Sequence, residues 1–173
     1  TLPNPPTPPP PPPLFFFFLF CCGVVRPPPP NPTPATYLAM SALPDIFTNW
    51  FSTKGWSIHP HQQTMLERSD EPALLLIAPT GGGKTLAGFL PSLAELNTGD
   101  HEGLHTLYIS PLKALATDIK RNLRTPVMEM DLPIRIEDRT GDTSQTQKKR
   151  QRADPPHILL TTPESLALLT SYE

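Results

Sequence analysis

The chain has 173 residues, enough for one domain with a buried core. A formal net charge of −2 excludes a protein that binds polyanions through bulk charge, although a local basic groove needs only a few well-placed donors. The two cysteines are neighbours, Cys21 and Cys22, so they can neither cross-link the fold nor match a metal-ligand spacing, and we expect a reducing, cytoplasmic environment.

The first part of the chain differs in composition from the rest. More than half of the 26 prolines lie before Ala35, and Arg26 is the only charged residue there. The apolar run Leu14–Val25 is shorter than the roughly 20 residues of a membrane-spanning helix, and no basic residue precedes it as in a signal peptide. We therefore expect residues 1–36 to be a disordered proline-rich extension with no membrane role, able to dock on proline-recognising domains. Residues 37–173 are expected to form the folded domain.

Beyond the head, short apolar runs alternate with helical periodicity. Pro60 can begin a helix, because the first turn does not need the N–H that proline lacks. Buried strands are predicted at Ala73–Ala78, His105–Ser110, Ile134–Asp138 and His157–Thr162. Helices are predicted at Lys84–Leu96, Leu112–Leu123 and Pro163–Tyr172, and the polar segment Gly141–Pro156 is either loop or exposed helix. This alternation predicts an α/β fold with a parallel sheet.

The segment APTGGGKT, Ala78–Thr85, lies between a predicted strand and a predicted helix, which is the context of a phosphate-binding loop. Glycines remove the side chains that would keep the backbone N–H groups from the phosphates, and the helix N-terminus attracts an anion. Lys84 is placed to neutralise the β- and γ-phosphates, and the Thr85 hydroxyl to ligate Mg²⁺. The sequence therefore predicts an ATP and Mg²⁺ site, with the candidate residues Thr80, Gly81, Gly82, Gly83, Lys84 and Thr85.

Ala78 stands where the common phosphate loop has a glycine, and Ala-x-Thr-Gly-x-Gly-Lys-Thr resembles the first motif of superfamily 2 helicases. Three later stretches, each just after a predicted strand, resemble nucleic-acid-contacting motifs of that family: ISPLKALATD, RTGD and TTPESL. The carboxyl ends of neighbouring parallel strands line one sheet edge, where open α/β sheets bind ligands. The candidate nucleic-acid contacts are Ser110, Pro111, Lys113, Thr140, Gly141, Thr162, Pro163 and Glu164.

From about Ile46 to Tyr172 the chain is similar to DEAD/DEAH-box helicases of the Lhr group and to the ligase-associated DEXH-box helicase. The resemblance implies the first RecA-like ATP-binding domain of a DNA-stimulated helicase in DNA repair, with single-stranded DNA or RNA as partner. It also implies that Gln62 reads the adenine edge, which suits a carboxamide. Phe47, Trp50 and Trp56 are candidates to stack on the adenine ring, and the sequence does not choose among them.

The family's Asp-Glu-x-His motif is expected after the TTPESL helix, and the sequence ends at Glu173 before such a strand. Asp70–Glu71 precedes the glycine loop and is in the wrong place for that motif. We therefore expect this chain to bind nucleotide without hydrolysing ATP or unwinding by itself.

Two other functions stay open at this point. One is a DEAD-box-type RNA helicase fragment, and the other is a non-catalytic nucleotide or nucleic-acid binder with a proline-rich docking tail. The segment HEGLH, His101–His105, matches a zinc-protease pattern, but Gly103 and the β-like residues that follow argue against the helix which that site needs. The basic run KKRQR, Lys148–Arg152, is more typical of a solvated face than of a DNA contact.

Overall fold

The computed structural model describes residues 17–18, 23–25, 43–71, 73–78, 81–97 and 101–171. These residues contain six strands: β1 Phe17–Phe18, β2 Gly23–Val25, β3 Ala73–Leu75, β4 Thr106–Ile109, β5 Ile136–Arg139 and β6 Ile158–Thr161. They also contain six helices: α1 Asp45–Thr53, α2 Pro60–Glu67, α3 Lys84–Leu96, α4 Lys113–Glu129, α5 Gln145–Ala153 and α6 Pro163–Thr170. The predicted α/β class with a parallel sheet is confirmed.

Four strands form a parallel sheet in the order β1-β4-β6-β5, and the last three of them carry the site. Strand β6 lies between β4 and β5, with Thr106 paired to Ile158 and Ile136 paired to the same residue from the other side. Because all three strands run the same way, Ile109, Arg139 and Thr161 end them at one edge. Strand β1 pairs with the free side of β4 in parallel.

The strand before the glycine loop differs from its prediction. Strand β3 is three residues long and pairs with β2 in an antiparallel ladder, outside the four-stranded parallel sheet. The apolar run predicted burial on both faces, yet Leu75 and Ile77 are exposed while Leu74 and Leu76 are buried. A strand buried on one face only satisfies the same apolar composition, which is why the run could not distinguish the two arrangements.

The sheet separates two apolar layers because successive residues of a strand point to opposite faces. On one face, Tyr108, Ile158 and Leu160 pack with the larger cluster formed by α1, α3 and α4, in which Phe89 and Leu123 are almost fully buried. On the other face, Leu107, Ile109 and Leu159 form a smaller cluster with residues of α6. The sheet edge is therefore held rigidly from both sides.

Helix boundaries show where tertiary packing overrides local signals. Helix α3 has its predicted bounds, whereas α4 continues to Glu129 through Pro126, although proline normally ends a helix. Pro126 and Val127 are buried against the larger cluster, and this burial offsets the lost hydrogen bond. The polar segment after β5, left open as loop or helix, contains α5. Helix α1 has no counterpart in the sequence prediction.

Two further predictions concern the head and the membrane. The division into a disordered head and a folded domain stays a prediction, since most of residues 1–36 lies outside the described residues. Within the described ranges, every helix is too short or too polar to cross a bilayer.

Candidate functional site

The glycine loop leads from β3 into α3 through backbone conformations that require glycine. Gly81 has φ 80° and Gly83 has φ 69°, both in the left-handed region that other residues rarely adopt, and α3 begins directly afterwards at Lys84. A side chain on Gly81 would meet nothing within 4 Å, so the space beside the loop is open. Thr80 and its neighbour Pro79 lie outside the described residues. The loop and the helix N-terminus form the cradle that a phosphate group needs.

Lys84 spans the loop. Its Nζ donates a hydrogen bond of 2.7 Å to the carbonyl oxygen of Ala78, so the ammonium group lies against the start of the turn. Thr85 follows in the first turn of α3 and is half-buried. An ammonium group and a hydroxyl at the mouth of a loop are the donor set that a Mg²⁺–triphosphate needs, so the residues present fit that ligand.

Two side chains of helix α2 hold the glycine loop by hydrogen bonds to its carbonyl groups. The Nε2 atom of His61 lies 2.7 Å from the carbonyl oxygen of Gly82, and the Gln62 amide donates to the carbonyl oxygen of Gly83 at 3.4 Å. Gln62 is 2% exposed, and its Oε1 accepts from the backbone N–H of His59 at 2.9 Å. The contact of His61 was not foreseen, because a lone histidine in a turn carries no signal of its partner.

The structure separates the three aromatic candidates for base stacking. Phe47 is fully buried, and Trp50 is buried with its Nε1 donating to Glu129 at 2.7 Å, so both are core residues. Trp56 is 56% exposed and contacts Trp50 edge to face at 5.6 Å between ring centroids. It lines a cavity of about 380 Å³ together with Thr85 and other residues of α3 and α4. Trp50 also lines this cavity, and Trp56 is the more exposed of the two rings.

The rim of this cavity carries an ion pair. Lys54 Nζ lies 2.6 Å from Glu129 Oε1, and the hydrogen bonds from Lys54 and then Trp50 hold the pKa of Glu129 below its usual range. Glu129 therefore stays a carboxylate at neutral pH, and Lys54 balances its charge. The cavity beside Trp56 has mostly apolar walls, with this ion pair at its edge.

The three polar turns predicted to contact nucleic acid come together at the carboxyl edge of the sheet. Lys113, in the first turn of α4, lies 2.9 Å from Asp142 Oδ2, and its Nζ is 3.5 Å from where a side-chain carbon on Gly141 would stand. The charge of Lys113 also acts on Glu164 at the start of α6. Lys113 thus belongs to the first turn and contacts the second, and its charge acts on the third without a direct bond.

Several of the predicted contacts are buried within their turns. Ser110 is buried and its hydroxyl bonds within its own turn to Leu112, and Thr162 is buried and caps α6 by accepting from Ser165 N at 3.4 Å. Thr140 is buried too, with its N–H donating to Thr143 Oγ1 at 2.9 Å. The hydroxyls of Ser110 and Thr162 shape their turns, whereas Lys113 and the exposed Pro111, Gly141 and Pro163 form the accessible surface.

Glu164 carries a negative charge, whereas a side chain that binds phosphate is normally positive. Its own backbone N–H, the Thr162 hydroxyl and the charge of Lys113 lower the pKa of this carboxyl below its ordinary value, so it is ionised at neutral pH. A carboxylate accepts hydrogen bonds and repels phosphate. At this edge Glu164 can contact a nucleic acid only at a sugar hydroxyl or a base N–H.

Arg139 is a residue of the RTGD turn that sequence reasoning passed over. It is 6% exposed, and its Nη1 donates to the carbonyl oxygen of Lys148 at 3.1 Å, which fixes α5 to the end of β5. Lys148 Nζ in turn donates to the carbonyl oxygen of Gly141 at 3.2 Å. The only available signal was a basic run at helical spacing after the turn.

The HEGLH segment is not helical. It lies in the connection before β4, where the buried His105 ring bonds to Glu95 Oε2 at 3.0 Å and to Thr106 Oγ1 at 2.8 Å. Within the described ranges, no three His, Cys, Asp or Glu side chains converge as metal ligands.

The domain is an α/β nucleotide-binding domain, with a glycine loop ahead of a helix and polar turns at the edge of a parallel sheet. It matches the first of the RecA-like domains of helicases. The chain belongs to the DEAD/DEAH box helicase family, whose sequence model matches residues 59–173.

Relatives and solved structures place the chain more closely. It is 42% identical over 142 residues to the ATP-dependent helicase Lhr-Core protein 2 of Thermococcus barophilus, covering 73% of this chain and 16% of that protein. It is 37% identical over 167 residues to the Lhr helicase/uracil glycosylase of Escherichia coli, covering 80% of this chain and 10% of that protein.

Among solved structures, the Mycobacterium smegmatis helicase Lhr bound to single-stranded DNA and AMP-PNP has a TM-score of 0.66 at 41% identity, covering 73% of this chain and 18% of that one. The chain thus spans between a tenth and a fifth of the length of these relatives. The predicted helicase family and its Lhr group are confirmed.

Proposed function

We propose that this chain is the ATP- and single-stranded-DNA-binding portion of an Lhr-type ATP-dependent DNA helicase that acts in DNA repair. The observation that carries the proposal is the glycine loop, held from below by His61 and Gln62, in a domain whose three polar turns meet at one sheet edge. The relatives named above are helicases of that type, and one of them is solved with single-stranded DNA and an ATP analogue.

The loop residues divide the work of binding the triphosphate. Backbone N–H groups of Gly81, Gly82 and Gly83 donate to the phosphate oxygens, as at other helix N-termini. Lys84 leaves the Ala78 carbonyl and neutralises the β- and γ-phosphates, and the Thr85 hydroxyl holds the magnesium ion. Such an ion would supply positive charge that offsets the negative charge of the triphosphate.

The base lies against Trp56 in the cavity beside the loop. The apolar walls and the exposed ring suit a purine, and base stacking on an aromatic residue stabilises binding by about 1–3 kcal/mol. Gln62 is proposed to read the adenine edge. It can do so only if its amide gives up the Gly83 carbonyl, and this bond, at 3.4 Å, is the weaker of its two.

The single strand follows the sheet edge. Lys113 supplies the charge, the backbone at Ser110, Pro111, Thr140, Gly141, Thr162 and Pro163 supplies close approach, and Glu164 accepts from a sugar or base. Because phosphate contacts dominate the affinity, the strand is bound without strong sequence preference.

Turnover is not proposed for this chain alone. Asp70–Glu71, the Asp-Glu pair nearest the loop in sequence, lies in the turn before β3, whereas the phosphate loop follows the other end of that strand. Glu71 is also engaged by Arg68 in a two-pronged ion pair. Phosphate release with saturating single-stranded DNA checks this, and turnover near that of an intact helicase would contradict it.

The binding proposal is tested by calorimetric titration of the full chain with Mg-ATP and by fluorescence anisotropy with labelled oligothymidylate and oligouridylate. Lys84→Ala is expected to weaken Mg-ATP by more than about tenfold, since a charge-assisted phosphate contact contributes roughly 1.5–3 kcal/mol. Lys120→Ala is the matched control, because Lys120 pairs with Asp138 on the sheet. A folded chain without Mg-ATP affinity, or with equal losses in both variants, overturns the nucleotide site. Tighter RNA than DNA binding would assign it to RNA helicases.

A further inference from the structure

A groove beside the RTGD turn is lined on one side by a basic helix. Its volume is about 520 Å³, its floor includes Thr140 and Gly141, and its walls come from α5 and α6. Four lining side chains are cationic, and none of the described residues that line it is acidic. The full chain has a net charge of −2, so the positive charge of this groove is a local feature that the overall charge does not predict.

The basic side chains share one face of α5. Gln145, Lys148, Lys149 and Arg152 line the groove at the spacing of positions three, four and seven residues apart, which is one face of a helix. The other face of the same helix is bound to the sheet, where Arg150 pairs with Glu137 at 2.6 Å and Gln151 donates to Glu137 at 2.8 Å. The groove face of α5 is therefore distinct from its structural face.

The groove is held in a fixed shape. Buried Arg139 bonds the Lys148 carbonyl, and the hydroxyl of Thr161 donates to the Arg139 carbonyl at 2.7 Å, so strand, turn and helix move together. Ser144 caps α5 by accepting from Gln147 N at 3.2 Å, and this places the positive end of the helix dipole beside the Gly141 turn.

The two walls differ in chemistry. Opposite the basic face of α5, α6 presents Leu168, which is 62% exposed. A cationic wall facing an apolar one suits a nucleotide, with its phosphate toward α5 and its sugar or base toward Leu168.

We propose that the groove between α5 and α6 continues the single-strand path, with Lys149 and Arg152 contacting backbone phosphates beyond the three turns. This inference rests on the proposed function, since it extends the same strand. Lys113 holds the strand at one side of Gly141, and the α5 face receives it on the other. Arg139 is a positioning residue, because its bond to the Lys148 carbonyl fixes α5 relative to the turn.

The salt dependence of binding distinguishes a phosphate contact from other losses. For single strands the slope of log affinity against log salt changes by about 0.7 for each phosphate contact. The full 173-residue chain is titrated against fluorescein-labelled oligothymidylate by anisotropy at several KCl concentrations. The variant Lys149→Gln/Arg152→Gln is expected to lower the slope by about 1.4 and to weaken binding most at low salt. Leu168→Ala is expected to weaken binding with the slope unchanged.

A matched control removes the same charge elsewhere. Arg124→Gln/Arg150→Gln also loses two positive charges, one from α4 and one from the sheet side of α5. It is expected to keep the wild-type slope, and thermal melting of each variant shows that it folds. Equal slope changes in the two double variants, or no change in either, overturn the inference while wild-type binding still supports the proposed function. A folded wild-type chain that does not bind the oligonucleotide overturns both.

Discussion

The buried amide of Gln62 occupies the space that a side chain on Gly83 would need. A side-chain carbon at Gly83 would stand 2.9 Å from Gln62 Nε2, closer than such atoms approach in practice. Gln62 cannot move without losing its bond to the Gly83 carbonyl or its bond to His59. The contact between Gly83 and the Gln62 carboxamide thus links the loop conformation to the position of α2, in addition to the bond of His61 to Gly82.

Gly83→Ala is expected to destabilise the chain more than Gly81→Ala. Both positions have positive φ, which costs about 1–2 kcal/mol for alanine. Gly83→Ala adds the displacement of a buried, hydrogen-bonded amide, about 1–3 kcal/mol more. Urea unfolding measures this difference, and calorimetry should show weakened Mg-ATP binding by both variants.

Gly103→Ala serves as the control for the glycine variants. Gly103 has φ 81° with nothing within 4 Å of an added side chain, and it lies in the connection before β4. It should show the strain cost without any loss of Mg-ATP affinity. If Gly83→Ala is no worse than Gly103→Ala in both measurements, Gln62 does not brace the loop.

The ion pair between Lys113 and Asp142 is expected to compete with the nucleic acid. Both side chains are mostly exposed, so the pair contributes only about 0–1 kcal/mol to folding. Asp142→Asn leaves Lys113 without its carboxylate and removes a charge that repels phosphate. Oligothymidylate affinity should rise at low salt, with a steeper salt slope and an unchanged urea midpoint.

Asp118→Asn removes the same charge from an exposed position further along α4. Its oligothymidylate affinity should change less than that of Asp142→Asn. Equal gains in the two variants would indicate a general charge effect and contradict a specific role for the pair. Lys113→Ala should weaken binding in either background.

Trp56 is expected to carry the stacking contribution to nucleotide binding. Trp56→Ala should weaken Mg-ATP by about fivefold or more, since base–aromatic stacking stabilises by about 1–3 kcal/mol, and Trp56→Phe should retain most of the affinity. Folding should change little, because the indole is more than half exposed. Inorganic triphosphate, which has neither base nor sugar, should bind the three proteins equally. Unchanged ATP affinity in Trp56→Ala would place the base elsewhere.

The features that could be predicted from the sequence are those that depend on interactions within one segment of the chain. The bounds of α3 were predicted correctly because glycine conformations, a helix start and an apolar stripe all lie within one segment. The three turns converge as expected because parallel strands end at a common edge.

The missed features depend on partners far away in the chain. The bond of His61 to Gly82 and that of Arg139 to Lys148 appear only once α2 and α5 are placed. The pairing of β3 with β2 rather than with the parallel sheet likewise depends on a distant segment. In α4, burial of Val127 overrides the stop signal of Pro126. Local rules do not contain these contacts.

His157 is expected to make stability fall on mild acidification. Its Nδ1 accepts from the backbone N–H of Arg135 at 3.1 Å, which requires a neutral ring. Burial, followed by the charge of Arg135, lowers the pKa of His157 below 6.5. A pKa lower in the folded state means that the unfolded chain binds the proton more readily, so stability is fully present above pH 6.5 and is lost as pH falls toward the folded pKa. Urea midpoints should drop between about pH 7.5 and pH 5.5, a window above the ordinary carboxyl range.

In His157→Asn the amide oxygen can accept the same N–H without titrating, so the urea midpoint of this variant should match wild type at the higher pH and fall less on acidification. An equal fall in both proteins would assign the acid sensitivity to another group.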